Sequence, residues 1–378
     1  MKIGIVLYPT FGGSGIVATE LGKALSLKGH QVHFITYSHP VKLGELRKNI
    51  FYHEVRTSDY PLFDYTPYEQ VLTSKLVDVV KYEKLDLLHV HYAIPHASAA
   101  FMAQQILKSQ GVNIPFITTL HGTDITLVGK DPSFEPVITF SINQSNKVTA
   151  VSKSLKEETL ALFSIEKEID VIPNFINVED YKMDNNNFYK KRYAPKNEKV
   201  LCHISNFRKV KRIEDVLKVF NNISPKINSK LILVGDGPER PKIERIARKS
   251  PFFKNIFFLG NLKSTKEILN ISDLFILPSS TESFGLAALE AMASGVPVVA
   301  SNSGGIPEVV THQISGLLND VADINQMTQN TLKILSNEDS LIKYKLGALE
   351  NAKEFDIKTI LPKYEKLYAD CIENYLIN

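Results

Sequence analysis

Glu282 and Glu290 lie eight residues apart in the stretch TESFGLAALE, Thr281 to Glu290. Paired carboxylates are what a glycosidase uses as acid and base. On one helix, eight residues leave two side chains about 80° apart on the same flank and about 10–12 Å apart along the axis. A retaining glycosidase pair needs about 5–5.5 Å and an inverting pair about 6.5–9.5 Å. The spacing favours two separate hydroxyl contacts along one extended ligand over an acid/base dyad. Between the two glutamates, Ser283, Phe284, Gly285 and Leu286 fall at the start of a helix expected from about Phe284. Backbone N–H groups there have no intrahelical acceptor and can hold a phosphate.

Other stretches offer complementary chemistry. SNFRKVKR, Ser205 to Arg212, has four basic residues in eight and follows an expected strand. Cations are disfavoured at a helix N-terminus, so stacking them there is easiest to understand if they share an anion such as a diphosphate. Arg208 and Lys211 are the candidates, as fork and point-charge donors. A solvated helix start is the alternative. VGDGPER, Val234 to Arg240, places Gly235 in a second βα turn. TFGGSG, Thr10 to Gly15, puts Gly13 and Ser14 where a strand passes into a helix and N–H groups meet an anion. It is neither GxGxxG nor a Walker loop, and a tight turn serving only chain geometry would account for it equally well. TTLHGTD places Thr119 and His121 at another strand end. A neutral or charged imidazole can donate to a sugar oxygen, although a satisfied interior histidine is the alternative. HVHYAIPHASAA holds His89, His91 and His96, but two lie on a strand, Pro95 intervenes, and the helical HxxxH arrangement is absent, so no metal site is expected. Tyr92 stands at the strand's C-terminal end, where ligands bind in open α/β sheets.

Alternating elements must position these residues. KIGIVLY, QVHFITY, LDLLHVHY, IPFITTLHG and KVTAVS read as strands, with amphipathic helices between most of them. The rhythm stops over 171–199, a polar stretch with three consecutive asparagines that reads as a linker. It restarts with KVLCHIS, KLILVGDG, NIFFLG, DLFILPS and PVVAS. The fold class expected is α/β, with two doubly wound Rossmann-like domains over 1–170 and 200–356 facing a central cleft. The last segment, 357–378, has a helical pattern and is expected to pack across the domain junction.

At 378 residues two domains are the default. A net charge of +3 is too small to imply a nucleic-acid partner. The two cysteines, Cys202 and Cys371, have no metal-ligand spacing, which fits a reducing compartment. The N-terminal apolar run breaks at Pro9 and lacks a signal-peptide pattern, and no stretch approaches the ~20 apolar residues of a membrane span. A soluble cytoplasmic protein with no membrane partner is expected.

Taken in order along nearly the whole chain, the GGSG loop, the HGT turn, SNFRKVKR, VGDGPE, ESFGLAALE with EAMASGVPVVAS, and GGIPEVV resemble the retaining GT-B glycosyltransferases of family 4. YPTFGGSGIVATELGKAL, HYAIPHA and TTLHGTDIT resemble in particular its malate-accepting members. The resemblance implies transfer of N-acetylglucosamine from UDP-N-acetylglucosamine to L-malate, the opening step of bacillithiol biosynthesis, with no metal or other cofactor. It implies that Glu290 binds the ribose and Glu282 the sugar hydroxyls, and that the Phe284–Leu286 N–H groups sit beside the diphosphate. Arg208 and Lys211 would neutralise that diphosphate, and His121 would contact the sugar near its reacting carbon. Gly13 and Ser14 would lie near phosphates and acceptor. Many members carry an arginine five residues before the lysine, where this chain has Asn206. The malate dianion calls for cationic or N–H-rich surroundings, and Ser14, Tyr92, Thr119, Asn206 and Arg208 are its candidates. Other family-4 acceptors (a lipid, a polysaccharide, an inositol phosphate) and a non-catalytic nucleotide-sugar protein are the alternatives. The helix GIVATELGKALSLKGH has little of the basic charge that a lipid acceptor calls for. Oligomeric state, a homodimer among the options, is not set by these residues.

Overall fold

The computed structural model describes residues 1–10, 12–44, 48–57, 66–182 and 188–377. Their contacts divide the chain into two units, one running to Phe175 and resuming at Ile357, the other running from Ile176 to Asp356. The first holds β1 (Lys2–Val6), β2 (Gln31–Thr36), β3 (Ile50–Glu54), β4 (Leu87–His91), β5 (Phe116–Leu120), β6 (Lys147–Ala150) and β7 (Ile169–Val171). They form one parallel sheet in the order β3-β2-β1-β4-β5-β6-β7. The second holds β8 (Lys199–Ile204), β9 (Ser229–Val234), β10 (Ile256–Gly260), β11 (Leu274–Leu277), β12 (Val298–Ser301) and β13 (Gly316–Asn319). Its parallel order is β10-β9-β8-β11-β12-β13.

Runs such as LFIL in β11 are buried along their whole length because parallel sheets are covered by helices on both faces. In the first unit Val6, Ile35, Val90 and Phe116 of the strands pack with Leu72, Leu76, Ala100 and Ala103 of the helices Tyr68–Glu83 and Ser98–Ser109. In the second, Leu201, Leu231 and Ile276 pack with Val216 and Phe220 of the helix Ile213–Ile223. Both strand orders reverse once, between β1 and β4 and between β8 and β11. The loops leaving the two strands at such a reversal diverge to opposite faces and leave a crevice at the strands' C-terminal ends.

Three strands were not legible. β3, IFYHE, is a part-exposed edge strand with polar alternation; β7 has three residues and β13 four. The expected linker over 171–199 is divided. β7 continues the first sheet through Val171, whereas Ile176 bridges to Asp356 and Tyr181 is buried in the second unit. The asparagine run, 185–187, lies outside the described residues. The closing helix, Ile357–Ile377, belongs by its contacts to the first unit. Tyr364 and Tyr368 are fully buried there, and Tyr368 Oη lies 2.7 Å from His89 Nδ1 on β4. Among the described residues, no helix is long and apolar enough to cross a membrane.

The Tyr368–His89 contact docks the closing helix on a buried polar atom. Tyr368→Phe should lower the first unit's stability by about 1–3 kcal/mol, the cost of stranding a buried hydrogen-bonding group. Urea unfolding followed by circular dichroism measures it, and an unchanged midpoint would show that the contact does not hold the helix.

Candidate active site

In the second unit the loops after β8 and β11 flank the strand-order reversal. The β8 loop closes in the tight turn Lys209–Lys211, and Val210 O accepts from Ser280 N–H at 2.8 Å, which fastens that turn to the end of β11. The fastening brings Lys211 Nζ within 2.6 Å of Glu282 Oε2, each side chain 17% exposed. Two residues chosen from stretches 71 apart in sequence thus form one half-buried ion pair. Arg208 and Asn206 are exposed on the same loop, and Arg208 O accepts from Lys211 N–H at 2.9 Å.

The helix after β11 begins at Leu286, two residues later than expected from Phe284. Gly285 takes φ 101°, a left-handed backbone open to glycine, so the turn ends there. Ala288 and Leu289 N–H both donate to Gly285 O, at 2.9 and 3.1 Å. Leu286 and Ala287 N–H groups therefore precede the helical ladder and point out of its N-terminus. Phe284 is buried edge-on to Phe355 at 5.6 Å, and Ser283 is half-buried. Glu290 is 8% exposed within the helix Leu286–Ala293.

The glycine pair after β12 has a structural part in this site that the sequence did not disclose. Gly305 N–H donates to Glu282 O at 2.8 Å. A Cβ at Gly304 would meet Glu282 O at 2.1 Å, and one at Gly305 would meet Ser283 O at 2.4 Å. The pair clamps the backbone that carries Glu282, and its only signal was two glycines at a strand end. Gly235, expected among the donor-binding residues, has its N–H engaged within the second unit. Its N–H donates to Gly260 O at 2.8 Å, and at φ 122° a Cβ would lie 1.8 Å from Ser205 O. It shapes the β8 loop and has no N–H to offer a ligand.

In the first unit the loops after β1 and β4 flank the other reversal. Gly13 opens the helix Gly13–Leu27, and Ser14 Oγ lies 2.6 Å from Tyr92 Oη, with Tyr92 at φ 89°. Phe11, within the TFGGSG loop, lies outside the described residues. His121 follows β5, is 9% exposed, and has the Tyr92 ring at 5.3 Å. Thr119, expected among the acceptor contacts, is turned into the interior of the first unit. It is fully buried one turn of the pleat short of the strand end, with its Oγ1 at 2.7 Å from both His89 Nε2 and Thr149 Oγ1. Asp124, in the HGTD turn, is 2% exposed and accepts from Ala93 N–H and Gly122 N–H, each at 3.0 Å. It ties the β4 loop to the β5 loop, a role that a carboxylate next to a glycine turn could have suggested.

His89, His91 and His96 are fully buried, His89 paired with Tyr368 and Thr119, His91 with His121, and His96 Nδ1 donating to the His91 main-chain oxygen. Burial pushes His89 and His121 down to about 3 and His96 to about 4, and lowers His91 well below its ordinary value. In the second unit burial takes His203, bonded to Ile276 O and Ser205 Oγ, to about 4. Among the described residues His33, His53 and Glu83 do bring three potential ligand atoms within 4.8 Å of one another. His33 Nδ1 and His53 Nε2 are 2.9 Å apart, a hydrogen-bond distance, and His33 Nε2 is buried with no partner. A metal on Nδ1 would force an unpaired N–H onto that buried Nε2, so the geometry fits a histidine pair better than a metal centre.

Two family profiles cover these units in turn. "Glycosyltransferase Family 4" matches residues 11–180 and "Glycosyl transferases group 1" matches residues 184–354. The chain therefore belongs to the family 4 glycosyltransferases, in agreement with the expected α/β class of two Rossmann-like units. It is 44% identical over 376 residues to N-acetyl-alpha-D-glucosaminyl L-malate synthase of Bacillus anthracis, a match spanning 99% of this chain and 98% of that one. It is 28% identical to an uncharacterized glycosyltransferase of Methanocaldococcus jannaschii, over 84% of each chain. Among solved structures, sucrose-phosphate synthase from Thermosynechococcus elongatus superposes with a TM-score of 0.81 at 21% identity, over 99% of this chain and 100% of that one. Anabaena HepE in complex with UDP-glucose gives 0.82 at 19% identity, over 98% and 100%.

The buried imidazoles carry a pH signature. Below the ordinary histidine value of 6.5 the unfolded chain takes up protons that the folded chain refuses down to about 3–4. Stability is then complete above pH 6.5 and falls as pH drops towards 4, by about 1–2 kcal/mol per buried histidine between pH 6.5 and 5. Urea midpoints at pH 7.5 and 5.0 should differ accordingly, and equal midpoints would contradict the neutral layer.

Proposed function

We propose that the protein transfers N-acetylglucosamine from UDP-N-acetylglucosamine to the hydroxyl of L-malate with retention at the anomeric carbon, opening bacillithiol biosynthesis. The observation that carries this reading is the 44% identity to the malate synthase, which runs the length of both chains. The Lys211–Glu282 pair at the strand-order reversal supports a diphosphate and a sugar lying side by side there. Lys211 and Arg208 neutralise the diphosphate, and the Phe284–Gly285–Leu286 turn with Ala287 N–H holds its oxygens at the helix N-terminus. Glu282 binds sugar hydroxyls, Ser283 lies beside them, and Glu290 binds the ribose. His121 contacts the sugar near the reacting carbon. In the first unit Gly13 and Ser14 are assigned to phosphate and acceptor and Tyr92 to the acceptor; in the second, Asn206 and Arg208 are the acceptor candidates.

In this scheme the malate hydroxyl oxygen bonds to the anomeric carbon from the face the diphosphate leaves. The carbon–oxygen bond to the phosphate breaks, and the hydroxyl proton passes to the departing phosphate oxygen. No carboxylate nucleophile is needed, and the chain's part is positioning and stabilisation of charge. Lys211, Arg208 and the helix terminus supply the positive field, so turnover needs no metal. The reaction belongs to the cytoplasm, where both substrates are soluble.

Purified protein given UDP-N-acetylglucosamine should release UDP on addition of L-malate and do so unchanged in chelator. Release that ignores malate but requires another acceptor would overturn the acceptor assignment while leaving the transferase. Lys211→Ala should lower turnover by about 100-fold or more, the scale on which loss of a transition-state charge partner acts. Glu290→Ala should chiefly weaken UDP binding, seen by calorimetry. A Lys211→Ala enzyme of normal turnover would remove Lys211 from the diphosphate.

A further inference from the structure

His91 Nδ1 lies 2.7 Å from His121 Nε2 in the interior of the first unit. Burial keeps both rings neutral, so each carries one proton and a single N–H occupies the contact. The other ring nitrogen of His91, Nε2, is buried and has no partner. A stranded N–H at that position is costlier and rarer than an under-used acceptor. The proton of His91 therefore sits on Nδ1 and is donated to His121 Nε2. His121, neutral and accepting at Nε2, carries its own proton on Nδ1. The His91 ring has the tilted His89 ring at 4.4 Å and the stacked His121 ring at 5.0 Å, and the His91 main-chain oxygen accepts from His96 Nδ1.

We infer that His91 is a positioning residue that holds His121 as the Nδ1–H tautomer, so that His121 meets its ligand as a hydrogen-bond donor and has no free lone pair. The consequence for the reaction rests on the transferase reading above. His121 donates to a ligand oxygen and cannot take the acceptor's proton. As the bond from the acceptor oxygen to the anomeric carbon forms and the carbon–phosphate-oxygen bond breaks, that proton goes to the departing phosphate. His91 does not touch substrate; it acts through His121. The HVH run of β4 thereby gains a function that its spacing did not suggest.

Long-range proton–nitrogen correlation spectra of the ligand-free, histidine-labelled full chain test the tautomer without any catalysis. Wild type should show His121 protonated at Nδ1 and bare at Nε2, and a proton on Nε2 overturns the proposal whatever the variants do. In His91→Phe the His121 signals should shift towards the Nε2–H form. His91→Asn, whose amide N–H falls near the lost Nδ1–H, should restore the wild-type pattern. Turnover should fall about 10–100-fold in His91→Phe, the scale of losing a group that orients a functional histidine, with donor KM within about twofold and recovery in His91→Asn. Equal turnover in folded His91→Phe and His91→Asn also overturns it. If the wild-type tautomer is as inferred but malate elicits no UDP release, the malate reading fails and the positioning role of His91 stands.

Discussion

Everything functional in this chain follows from one constraint of parallel sheets. Where the strand order reverses, the two loops leaving adjacent strands run to opposite faces, and no helix fills the space between them. The constraint acts twice. Between β8 and β11 it sets the SNFRKVKR loop beside the TESFG turn and yields the Lys211–Glu282 contact. Between β1 and β4 it sets the glycine loop beside Tyr92 and yields the Ser14–Tyr92 contact. Neither contact could arise between strands that follow one another in regular order, because their crossover helices would cover the gap.

The Lys211–Glu282 pair also shows why stability and function are separate questions here. A half-buried ion pair contributes modestly to folding, since desolvation offsets much of the attraction. In the proposed function its value lies in holding the Lys211 ammonium beside Glu282 without a ligand. The surrounding backbone is locked. The Val210–Ser280 bond fixes one side and the Gly304–Gly305 turn fixes the other, so the charge is in place before a ligand arrives. Preorganised charge of this kind needs no rearrangement during reaction.

The sequence disclosed the parts of the fold whose signals are strong and local. Central strands such as LLHVH and LFIL are continuous buried runs, and Arg208, Lys211 and Glu282 stand in motifs at strand ends. What it concealed depends on partners distant in sequence. Among the described residues β3 pairs with β2 alone in the sheet, as an edge strand, so its alternation looks like surface. Gly235 looked like a ligand-facing glycine, yet Gly260 takes its N–H. Thr119 looked accessible from a strand-end motif, but the pleat turns it inward to His89. The helix start slipped from Phe284 to Leu286 because the left-handed Gly285 is a property of the turn and not of the helical pattern.

The buried histidines join these strands of argument. A central strand covered on both faces tolerates polar side chains only if they bond one another, and in β4 and β5 they do. Tyr368 bonds His89, His89 bonds Thr119, and Thr119 bonds Thr149. Beside that chain His91 bonds His121. Desolvation keeps these imidazoles uncharged, and the tautomer inferred for His91 leaves His121 a donor. Such neutral rings are poorly suited to shuttling protons and well suited to aiming a single donor. Sugar transfer by direct departure of a diphosphate asks for the second of these, because the leaving group itself is base enough to take the proton.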